Sequence, residues 1–350
     1  MNPTDIQAYI QEQPAVLRRV WEQVPRAVGK MADFRESERV YLIGSGTSRN
    51  ALLAVAPLFT RIARGAVKIS GPLSFMEEAE KPEKRSATAI VLSQTGTSTT
   101  TIQAVEHARR LGMRTITLTA EEGSPIARVS PEILIVPVGP EPVGPKTKGY
   151  SACVLTLLLL AAGAKEGVAD FSSFLESYGR LIGESRKIME TAAESAREAD
   201  HFLVMGQGRH CATALEGALK ITEMSGIPAA AFETEEAFHG RFHGLSGRSR
   251  AVFISASPGQ QEMAAAGAEV LSELGVAAAI FNLSGTLPSS FDLKLPWAPA
   301  GFWPELDLLS AIVPFQHWGW HLAGARGIVP EKMRYPGLSQ KLKIKTKAGT

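Results

Sequence analysis

The chain has 350 residues, of which 45% are hydrophobic and 21% charged, and its formal net charge is +2. This composition is typical of a folded globular protein, and the length favours two domains. A charge so close to zero gives no electrostatic reason to expect nucleic acid or an anionic membrane as a partner. The two cysteines, Cys153 and Cys211, form no CxxC pair, so we expect neither a disulfide framework nor a structural metal site.

No stretch of the sequence has the pattern of an export signal or a membrane span. Residues 1–5 lack the basic and apolar regions of a signal peptide. The longest apolar run, residues 153–164, is shorter than the roughly 20 residues that a spanning helix needs. We therefore expect a cytoplasmic protein that does not contact a membrane.

Strand and helix patterns alternate along the first half of the chain. Residues 1–30 have apolar side chains at helical spacing and predict an N-terminal helix. Strands are predicted over 40–43, 67–70, 87–92, 114–119 and 133–138, and helices over 50–63, 99–111 and 151–164. This alternation predicts a doubly wound parallel sheet, whose ligands bind beyond the carboxyl ends of its strands.

Two turns that follow predicted strands are candidate ligand sites: the glycines of the first let the backbone approach a ligand closely, although such a turn can also serve only to reverse the chain, and the second has the composition of an anion site. Residues 44–48 read Gly-Ser-Gly-Thr-Ser, and residues 93–98 read Ser-Gln-Thr-Gly-Thr-Ser directly before the helix over 99–111. The first N–H groups of a helix are unpaired and favour negative charge, and Ser and Thr hydroxyls add donors suited to phosphate oxygens. An ordinary capped strand-to-helix turn fits the spacing of residues 93–98 equally well.

The pattern restarts about 160 residues further on and predicts a second, similar domain. A strand over 201–205 is followed by a Gly-Gln-Gly turn and a helix over 211–224, and residues 170–200 predict one or two linking helices. Further strands are predicted over 251–255 and 277–282. The expected divisions are an N-terminal helix over 1–30, a first domain over 31–165, a helical linker over 166–195, a second domain over 196–330 and a tail over 331–350. Only the first domain has a hydroxyl-rich turn, so we expect only that domain to hold phosphate.

Three charged residues of the helix over 211–224 share one face, because Glu216, Lys220 and Glu223 stand at i, i+4 and i+7. A surface ladder of ion pairs is the common explanation of such a pattern, but the Gly-Gln-Gly turn before this helix favours a functional site. Residues 233–244 contain three carboxylates and two His-Gly pairs without clear periodicity, which indicates a site loop. A positioned Glu and a His suit proton transfer beside a carbonyl, and the glycines that follow both histidines argue against a metal site.

Residues 44–48, 93–96 and 214–223 resemble, in the same order, motifs of the double sugar isomerase (SIS) domain proteins. The similarity is strongest to the isomerase half of glucosamine-6-phosphate synthase and to related glucosamine-6-phosphate deaminases and fructosamine-phosphate deglycases. It implies an α/β fold with two SIS-type domains, each a flavodoxin-like αβα sandwich around a doubly wound parallel sheet. An N-terminal helix precedes the two domains and a C-terminal tail follows them. The implied substrate is a 6-phosphorylated ketose or aminosugar, which is isomerised, deaminated or deglycated without a cofactor.

The resemblance also implies a role for each matched residue. Glu223 is implied as the base that moves a proton at C1 and C2, and His239, 16 positions later, as the ring-opening residue that the neighbouring subunit of a homodimer contributes. Glu216 and Lys220 are implied as supporting charges. The implied substrate-binding residues are Ser45, Gly46, Thr47, Ser48, Ser93, Gln94, Thr95, Ser98, Lys146 and Thr147.

The sequence departs from the family pattern at several positions. Lys146-Thr147-Lys148 stands where the family usually has Ser-Thr-Lys, and His239-Gly240-Arg241 stands where it has His-Gly-Pro. The tail lysine that can form a Schiff base follows a Leu-x-Lys pattern, which here places Gln340 at the lysine position. Lys341 fits after a shift of one residue and is the candidate, although Lys341, Lys343, Lys345 and Lys347 could equally be solvated. The chain begins Met1-Asn2-Pro3 without the nucleophilic cysteine of the members that use glutamine, so we expect no ammonia release from glutamine within this polypeptide.

A non-catalytic phosphosugar sensor is the alternative function, because SIS domains also occur in regulators. A sensor needs residues 93–98 but neither Glu223 nor His239, and it usually carries a DNA-binding domain. No helix-turn-helix pattern precedes Val40. An enzyme is therefore the favoured interpretation of the sequence.

Overall fold

The structure is a computed structural model that describes residues 5–29, 31–80, 87–163, 171–301 and 303–346. Its contacts divide the chain into two compact units. The first unit comprises Ala15–Glu141, Lys148–Ala169 and Tyr335–Thr350, and the second comprises Met1–Pro14, Pro142–Thr147 and Asp170–Arg334. The domain boundaries expected at residues 30 and 165, and the tail residue Lys347, lie outside the described residues.

The first unit is built on a parallel sheet of five strands in the order β2-β1-β3-β4-β5. The strands are β1 (Arg39–Ile43), β2 (Ala66–Ser70), β3 (Ala87–Leu92), β4 (Arg114–Thr119) and β5 (Glu132–Ile135). Strand β3 is buried along its whole length and apolar except for Thr88, as expected of a central parallel strand. The strand order changes direction between β1 and β3, and this switch point is where doubly wound sheets bind their ligands.

The second unit repeats this design with a parallel sheet of four strands in the order β7-β6-β8-β9. Its strands are β6 (His201–Gly206), β7 (Ala229–Glu233), β8 (Ser249–Ser255) and β9 (Ala277–Asn282). The repeat predicted from the sequence and the mixed α/β fold class are therefore confirmed. The sequence did not predict strand β7.

Helices flank both sheets. In chain order they are α1 (Ile6–Gln11), α2 (Gln13–Val28), α3 (Thr47–Ile62), α4 (Pro72–Glu78), α5 (Thr99–Arg110), α6 (Pro125–Val129), α7 (Lys148–Ala162), α8 (Phe171–Ser195), α9 (His210–Ser225), α10 (Thr234–Phe238), α11 (Pro258–Glu273), α12 (Asp307–Ala325) and α13 (Leu338–Lys341). Within the described ranges, no helix is both long and apolar enough to cross a bilayer.

Two sequence predictions about local structure are wrong. The single helix expected over 1–30 is two helices, since α1 ends at Gln11 and α2 begins at Gln13. Asp5 caps the first of them, because its Oδ1 accepts hydrogen bonds from the N–H groups of Gln7 at 2.9 Å and Ala8 at 3.3 Å. The loop expected over 233–244 instead contains α10 and a 3-10 turn, Arg241–Gly244.

Helices α9 and α12 of the second unit pack closely where glycines replace larger side chains. A Cβ on Gly217 would lie 2.7–2.8 Å from the ring of Phe315, and one on Gly319 would lie 2.9 Å from the carbonyl oxygen of Lys220. Contacts under 3.0 Å cannot be accommodated without a shift of backbone or ring. Both positions therefore require glycine, and α12 packs directly against α9 at these two points.

The core of α12 contains a histidine with no exposed surface. His317 donates a hydrogen bond from Nε2 to the carbonyl oxygen of Ile182 on α8, at 3.0 Å. Burial lowers the pKa of His317 to about 3, and the charges of His321 and Arg186 add to the effect. The imidazole is therefore neutral in the folded protein at neutral pH.

Candidate functional site

The first of the two turns at the switch point connects β1 to α3. Gly46 has a φ of +56° and precedes α3, and its carbonyl accepts a hydrogen bond from the N–H of Asn50 at 3.0 Å. Ser45 and Gly46 are exposed, and Thr47 and Ser48 are half-buried in the first turn of the helix. The turn therefore presents backbone and hydroxyl groups at the carboxyl end of the sheet.

The second turn, residues 93–98, connects β3 to α5 and is called the Ser93 loop below. The N–H of Ser93 donates to Leu118 O at 3.0 Å, and the N–H of Ile126 donates to Gly96 O at 3.0 Å. Gly96 has a φ of +63°, and a Cβ there would lie 2.2 Å from Ser124 Oγ. Only glycine fits this position, so the shape of the loop is fixed by its packing on the next βα turn.

Hydroxyl groups gather in the Ser93 loop and the first turn of α5. Thr95 Oγ1 lies 3.0 Å from Thr97 Oγ1, and Thr101 Oγ1 donates to Ser98 Oγ at 2.8 Å. Ser98 is the N-cap of α5, and it is half-buried like Thr95 and Thr97. Hydroxyls at the amino end of a helix of this length form a suitable site for an anion.

The side chain of Gln94 is held in a buried network beneath the loop. Its Nε2 donates to Glu141 Oε2 at 3.2 Å, and the N–H of Gly149 donates to the same oxygen at 3.1 Å. A Cβ on Gly149 would lie 1.9 Å from Gln94 Nε2, so the start of α7 must approach the amide without a side chain. Glu141 was not singled out from the sequence, although it is the carboxylate that positions Gln94.

The lysines before α7 differ in their surroundings. Lys148 is buried at the start of the helix, which contradicts the solvated loop that lysines in a Pro/Gly turn usually indicate. Lys146 and Thr147 belong to the second unit, where Lys146 is half-buried and Thr147 is buried. The carbonyl of Thr147 accepts a hydrogen bond from Gln316 Nε2 at 3.3 Å.

Residues 344–346, called the tail strand below, pair with the Ser93 loop and the start of α5. The N–H of Thr99 donates to Ile344 O at 3.1 Å, the N–H of Thr346 donates to Thr97 O at 2.8 Å, and Ser98 and Lys345 form an antiparallel bridge. The backbone of these residues is therefore paired, while the side chains of Lys341, Lys343 and Lys345 are exposed to solvent. The signal for the pairing was the alternation of lysines with Leu342, Ile344 and Thr346, which has the period of a strand.

The charged face of α9 forms a compact cluster in the second unit. Lys220 Nζ lies 3.2 Å from Glu216 Oε1 and 2.5 Å from Glu223 Oε2. The side chains of Lys220 and Glu216 are both 0% exposed, whereas that of Glu223 is 23% exposed. The three charges therefore do not form a ladder of ion pairs on the protein surface. Glu223 is the member of the cluster that solvent can reach.

The electrostatics of this cluster keep Lys220 positively charged. Burial alone lowers the pKa of Lys220, but the charges of Glu216 and Glu223 and their hydrogen bonds outweigh burial and raise it above its ordinary value. Lys220 therefore acts at neutral pH as a fixed cation and not as a proton carrier. Its ammonium holds one carboxylate oxygen of Glu223 in place.

The segment that contains His239 lies at the end of α10. His239 is exposed, and its backbone N–H donates to Glu236 O at 3.2 Å. The neighbouring rings pack within the second unit, since Phe238 contacts the rings of Phe242 at 5.4 Å and Phe253 at 6.5 Å between centroids. Phe238 nevertheless remains 38% exposed.

The start of α9 carries an ion cluster that sequence analysis missed. Arg209 Nε donates to Asp307 Oδ1 at 2.9 Å, and His210 Nε2 lies 3.2 Å from Asp307 Oδ2. Burial raises the pKa of the Asp307 carboxyl, but the hydrogen bonds from His210 and Arg209 outweigh it and leave the pKa below its ordinary value. This cluster ties the first turns of α9 and α12 together and so orients the helix that carries Glu223.

Neither metal binding nor a reactive thiol is favoured in the part of the chain that the structure describes. There, no group of three or more His, Cys, Asp or Glu side chains is arranged to hold a metal ion. Burial raises the pKa of the Cys153 thiol to about 12 and that of Cys211 to about 11. Both thiols are therefore protonated at neutral pH and are poor nucleophiles.

Comparison with known proteins identifies the two sheets as copies of one domain type. The SIS domain model matches residues 33–164 and 196–286. The glutamine–fructose-6-phosphate aminotransferase [isomerizing] of a Thermus thermophilus strain is 30% identical over 248 residues, which are 66% of this chain and 41% of the relative. The chain thus spans about half the length or less of the first curated relatives that it matches.

Two solved structures have a similar fold over most of this chain. Glucosamine-6-phosphate deaminase from Thermotoga maritima has a TM-score of 0.78 and 25% identity, covering 95% of this chain and 98% of that one. Tagatose-6-phosphate ketose/aldose isomerase from Escherichia coli has a TM-score of 0.77 and 15% identity, covering 95% of this chain and 97% of that one. The same fold therefore occurs in proteins whose names describe different reactions.

Proposed function

Because the chain belongs to the SIS domain family, we propose that it is an enzyme acting on a 6-phosphorylated ketose or aminosugar by acid–base catalysis. It resembles the isomerase portion of glutamine–fructose-6-phosphate aminotransferase. The reaction is aldose–ketose isomerisation, deamination or deglycation. The observation that carries the proposal is the cluster on α9, in which a buried cation holds the partly exposed carboxylate of Glu223.

The phosphate group is assigned to the Ser93 loop. Ser93, Thr95 and Ser98 supply hydroxyl donors and α5 supplies its amino end, while Thr47 and Ser48 of the neighbouring turn are assigned to the sugar. Gln94 acts through its backbone and its bond to Glu141 rather than through a free amide. A phosphate held in this way orients the sugar, so that binding energy remote from the reacting carbons is used in catalysis.

Proton transfer is assigned to Glu223. In the isomerisation, its carboxylate takes a proton from C1 of the ketose while the C2 carbonyl oxygen gains a proton, which leaves an enediol. The carboxyl group then returns its proton to C2 while the O1 hydroxyl loses one, so that the net change is the transfer of one proton from C1 to C2 and of one from O1 to O2, and the product is the aldose. Atoms and electrons balance without a cofactor. Lys220 and Glu216 support this role because they fix the carboxylate and keep its environment charged.

Ring opening and Schiff-base formation are assigned to two exposed residues. His239 opens the sugar ring and is contributed by the neighbouring subunit of a homodimer, and its exposure at the end of α10 suits that role. Lys341, exposed in α13, is the candidate for a Schiff base with the ketose. The protein functions in the cytoplasm, where phosphorylated sugars are available.

A panel of substrates tests the proposal. The purified chain is incubated with fructose 6-phosphate, glucosamine 6-phosphate and fructosamine 6-phosphates, and isomer, ammonia and free amine are measured. Turnover of one of them, abolished by Glu223→Gln, supports the enzyme and selects the reaction. Tight binding without turnover of any of them would instead support the phosphosugar sensor, and neither binding nor turnover would contradict both.

A further inference from the structure

The tail strand forms part of the same surface as the Ser93 loop. Its two backbone hydrogen bonds, from Thr99 N to Ile344 O and from Thr346 N to Thr97 O, lie on either side of the Ser98–Lys345 bridge. Thr346 Oγ1 also donates to Thr97 O at 3.2 Å. The register of the strand against the loop is therefore fixed at this point.

This register determines where Lys345 stands. Directly opposed residues of an antiparallel pair point to the same face, with Cβ atoms about 4.5–5.5 Å apart. Ser98 is the N-cap of α5 and its hydroxyl accepts from Thr101, so its face is that of the helix amino end. Lys345 is exposed and forms no ion pair with any residue that the structure describes.

We propose that Lys345 is a phosphate-binding residue, whose ammonium completes the anion site of the Ser93 loop from the tail strand. The proposal rests on the proposed function, because it concerns the same phosphate. Residues 93–101 contain neither Lys nor Arg, so the loop offers hydroxyl and N–H donors to a dianion but no full positive charge. A lysine is a compact charge with three donors on a flexible stem, which suits phosphate oxygens.

Tail pairing and phosphate binding are coupled in this arrangement. A phosphate that contacts both the Ser93 loop and Lys345 stabilises the pairing, and the pairing must raise phosphate affinity by the same factor. Lys345 thereby differs from Lys341, which lies in α13 and is assigned to the carbonyl end of the sugar. The two lysines therefore serve opposite ends of one substrate.

Calorimetric titration of the full chain with inorganic phosphate and with fructose 6-phosphate tests the proposal. We expect Lys345→Ala to weaken both ligands about five- to tenfold, as loss of a partly solvated charge contact should. We expect Lys345→Arg to restore most of the affinity. Lys187→Ala on α8, which removes the same charge from an exposed site of the second unit, should bind like the wild type.

A second variant separates the position of the lysine from its charge. Thr346→Pro keeps Lys345 but removes the N–H that donates to Thr97 O, and we expect it to weaken phosphate about as much as Lys345→Ala. Wild-type affinity in Lys345→Ala, with weakened binding in Ser93→Ala, would overturn this inference and leave the proposed function standing. Failure of the wild type to bind any sugar phosphate would overturn the proposed function itself.

Discussion

The ammonium nitrogen of Lys220 lies 2.5 Å from Oε2 of Glu223, one helical turn further along α9, and only the glutamate of this pair reaches solvent. Lys220 has a second carboxylate partner, Glu216, which is fully buried. One cation therefore neutralises part of a net negative cluster and restricts the rotamers of Glu223. A base that is held in one position before the substrate arrives loses less entropy when it reacts.

Replacement of Glu223 by Gln removes the proposed base while keeping its size. We expect binding of sugar phosphate to be retained and turnover to fall at least about a hundredfold, since general base catalysis contributes typically 10² to 10⁴. Steady-state kinetics and titration calorimetry measure the two effects separately. Glu262→Gln on the exposed face of α11 is the control. Full activity in Glu223→Gln would show that the cluster has only a structural role.

Replacement of Lys220 by Met leaves the buried carboxylate of Glu216 without its cation. We expect the free energy of unfolding to fall by about 3–5 kcal/mol, because removing one partner of a buried ion pair leaves the other charge buried and uncompensated. The double variant Lys220→Met/Glu216→Gln should recover part of this loss. Urea unfolding measures both, and a loss below about 1 kcal/mol in the single variant would contradict the burial of the pair.

Replacement of Ser93 or Thr95 by Ala removes a hydroxyl donor from the proposed phosphate site. Each change should weaken sugar phosphate binding by roughly 1.5–3 kcal/mol, the range for hydrogen bonds to a charged group. Thr60→Ala on α3 is the matched control, because its hydroxyl bonds within its own helix, to Ala56 O at 3.0 Å. Unchanged affinity in both loop variants would show that the phosphate does not bind at the Ser93 loop.

The buried histidine of α12 predicts a pH dependence of stability. Burial lowers the pKa of His317 from 6.5 to about 3, so between these values the unfolded chain binds a proton that the folded chain does not. The free energy of unfolding should therefore decrease as the pH falls below about 6.5, by up to about 1.4 kcal/mol per pH unit from this residue. Urea unfolding between pH 6.5 and about pH 4.5 measures the slope.

His317→Gln should flatten this dependence, because an amide can still donate to Ile182 O but does not titrate. His201→Gln on the half-buried start of β6 serves as the comparison. An identical slope in His317→Gln and the wild type would show that other groups account for the acid sensitivity.

The proposed sharing of the site between subunits predicts complementation. Glu223→Gln and His239→Ala homodimers should each be nearly inactive, whereas heterodimers of the two variants should regain one intact site, because a two-fold interface completes two sites reciprocally. Co-expression with two affinity tags isolates the heterodimer for assay. If verified heterodimers recover no activity, both residues act within one chain.

The sequence predicted the central strands of both sheets well, because a buried parallel strand is a continuous apolar run. Strands β3, β4 and β9 begin and end at the predicted residues. Strand β7 was missed because Ala229–Glu233 is rich in alanine, and its extended form depends on pairing with β6. Helix α12 was missed because it is apolar on almost all sides and lacks an amphipathic pattern.

The candidate site was only partly predictable, because it too depends on contacts between residues that are far apart in the sequence. The spacing of Glu216, Lys220 and Glu223 places them on one face, but spacing cannot show whether that face is covered. Glu216 and Lys220 are in fact fully buried, and the backbone of Lys220 is approached by Gly319 of α12, almost 100 residues later in the chain. The tail strand likewise depends on a partner far away in the sequence.

The pairing of Thr346 with Thr97 also affects the order in which the protein matures during synthesis. The two residues are 249 positions apart, and translation adds about 5–20 residues per second. A nascent chain therefore has its Ser93 loop for roughly 12 to 50 s before the tail strand exists. During that interval the sheet of the first unit can form, but the proposed anion site lacks the tail strand. If Lys345 binds phosphate as proposed, the nascent chain acquires full affinity for phosphate only after residue 346 has been added.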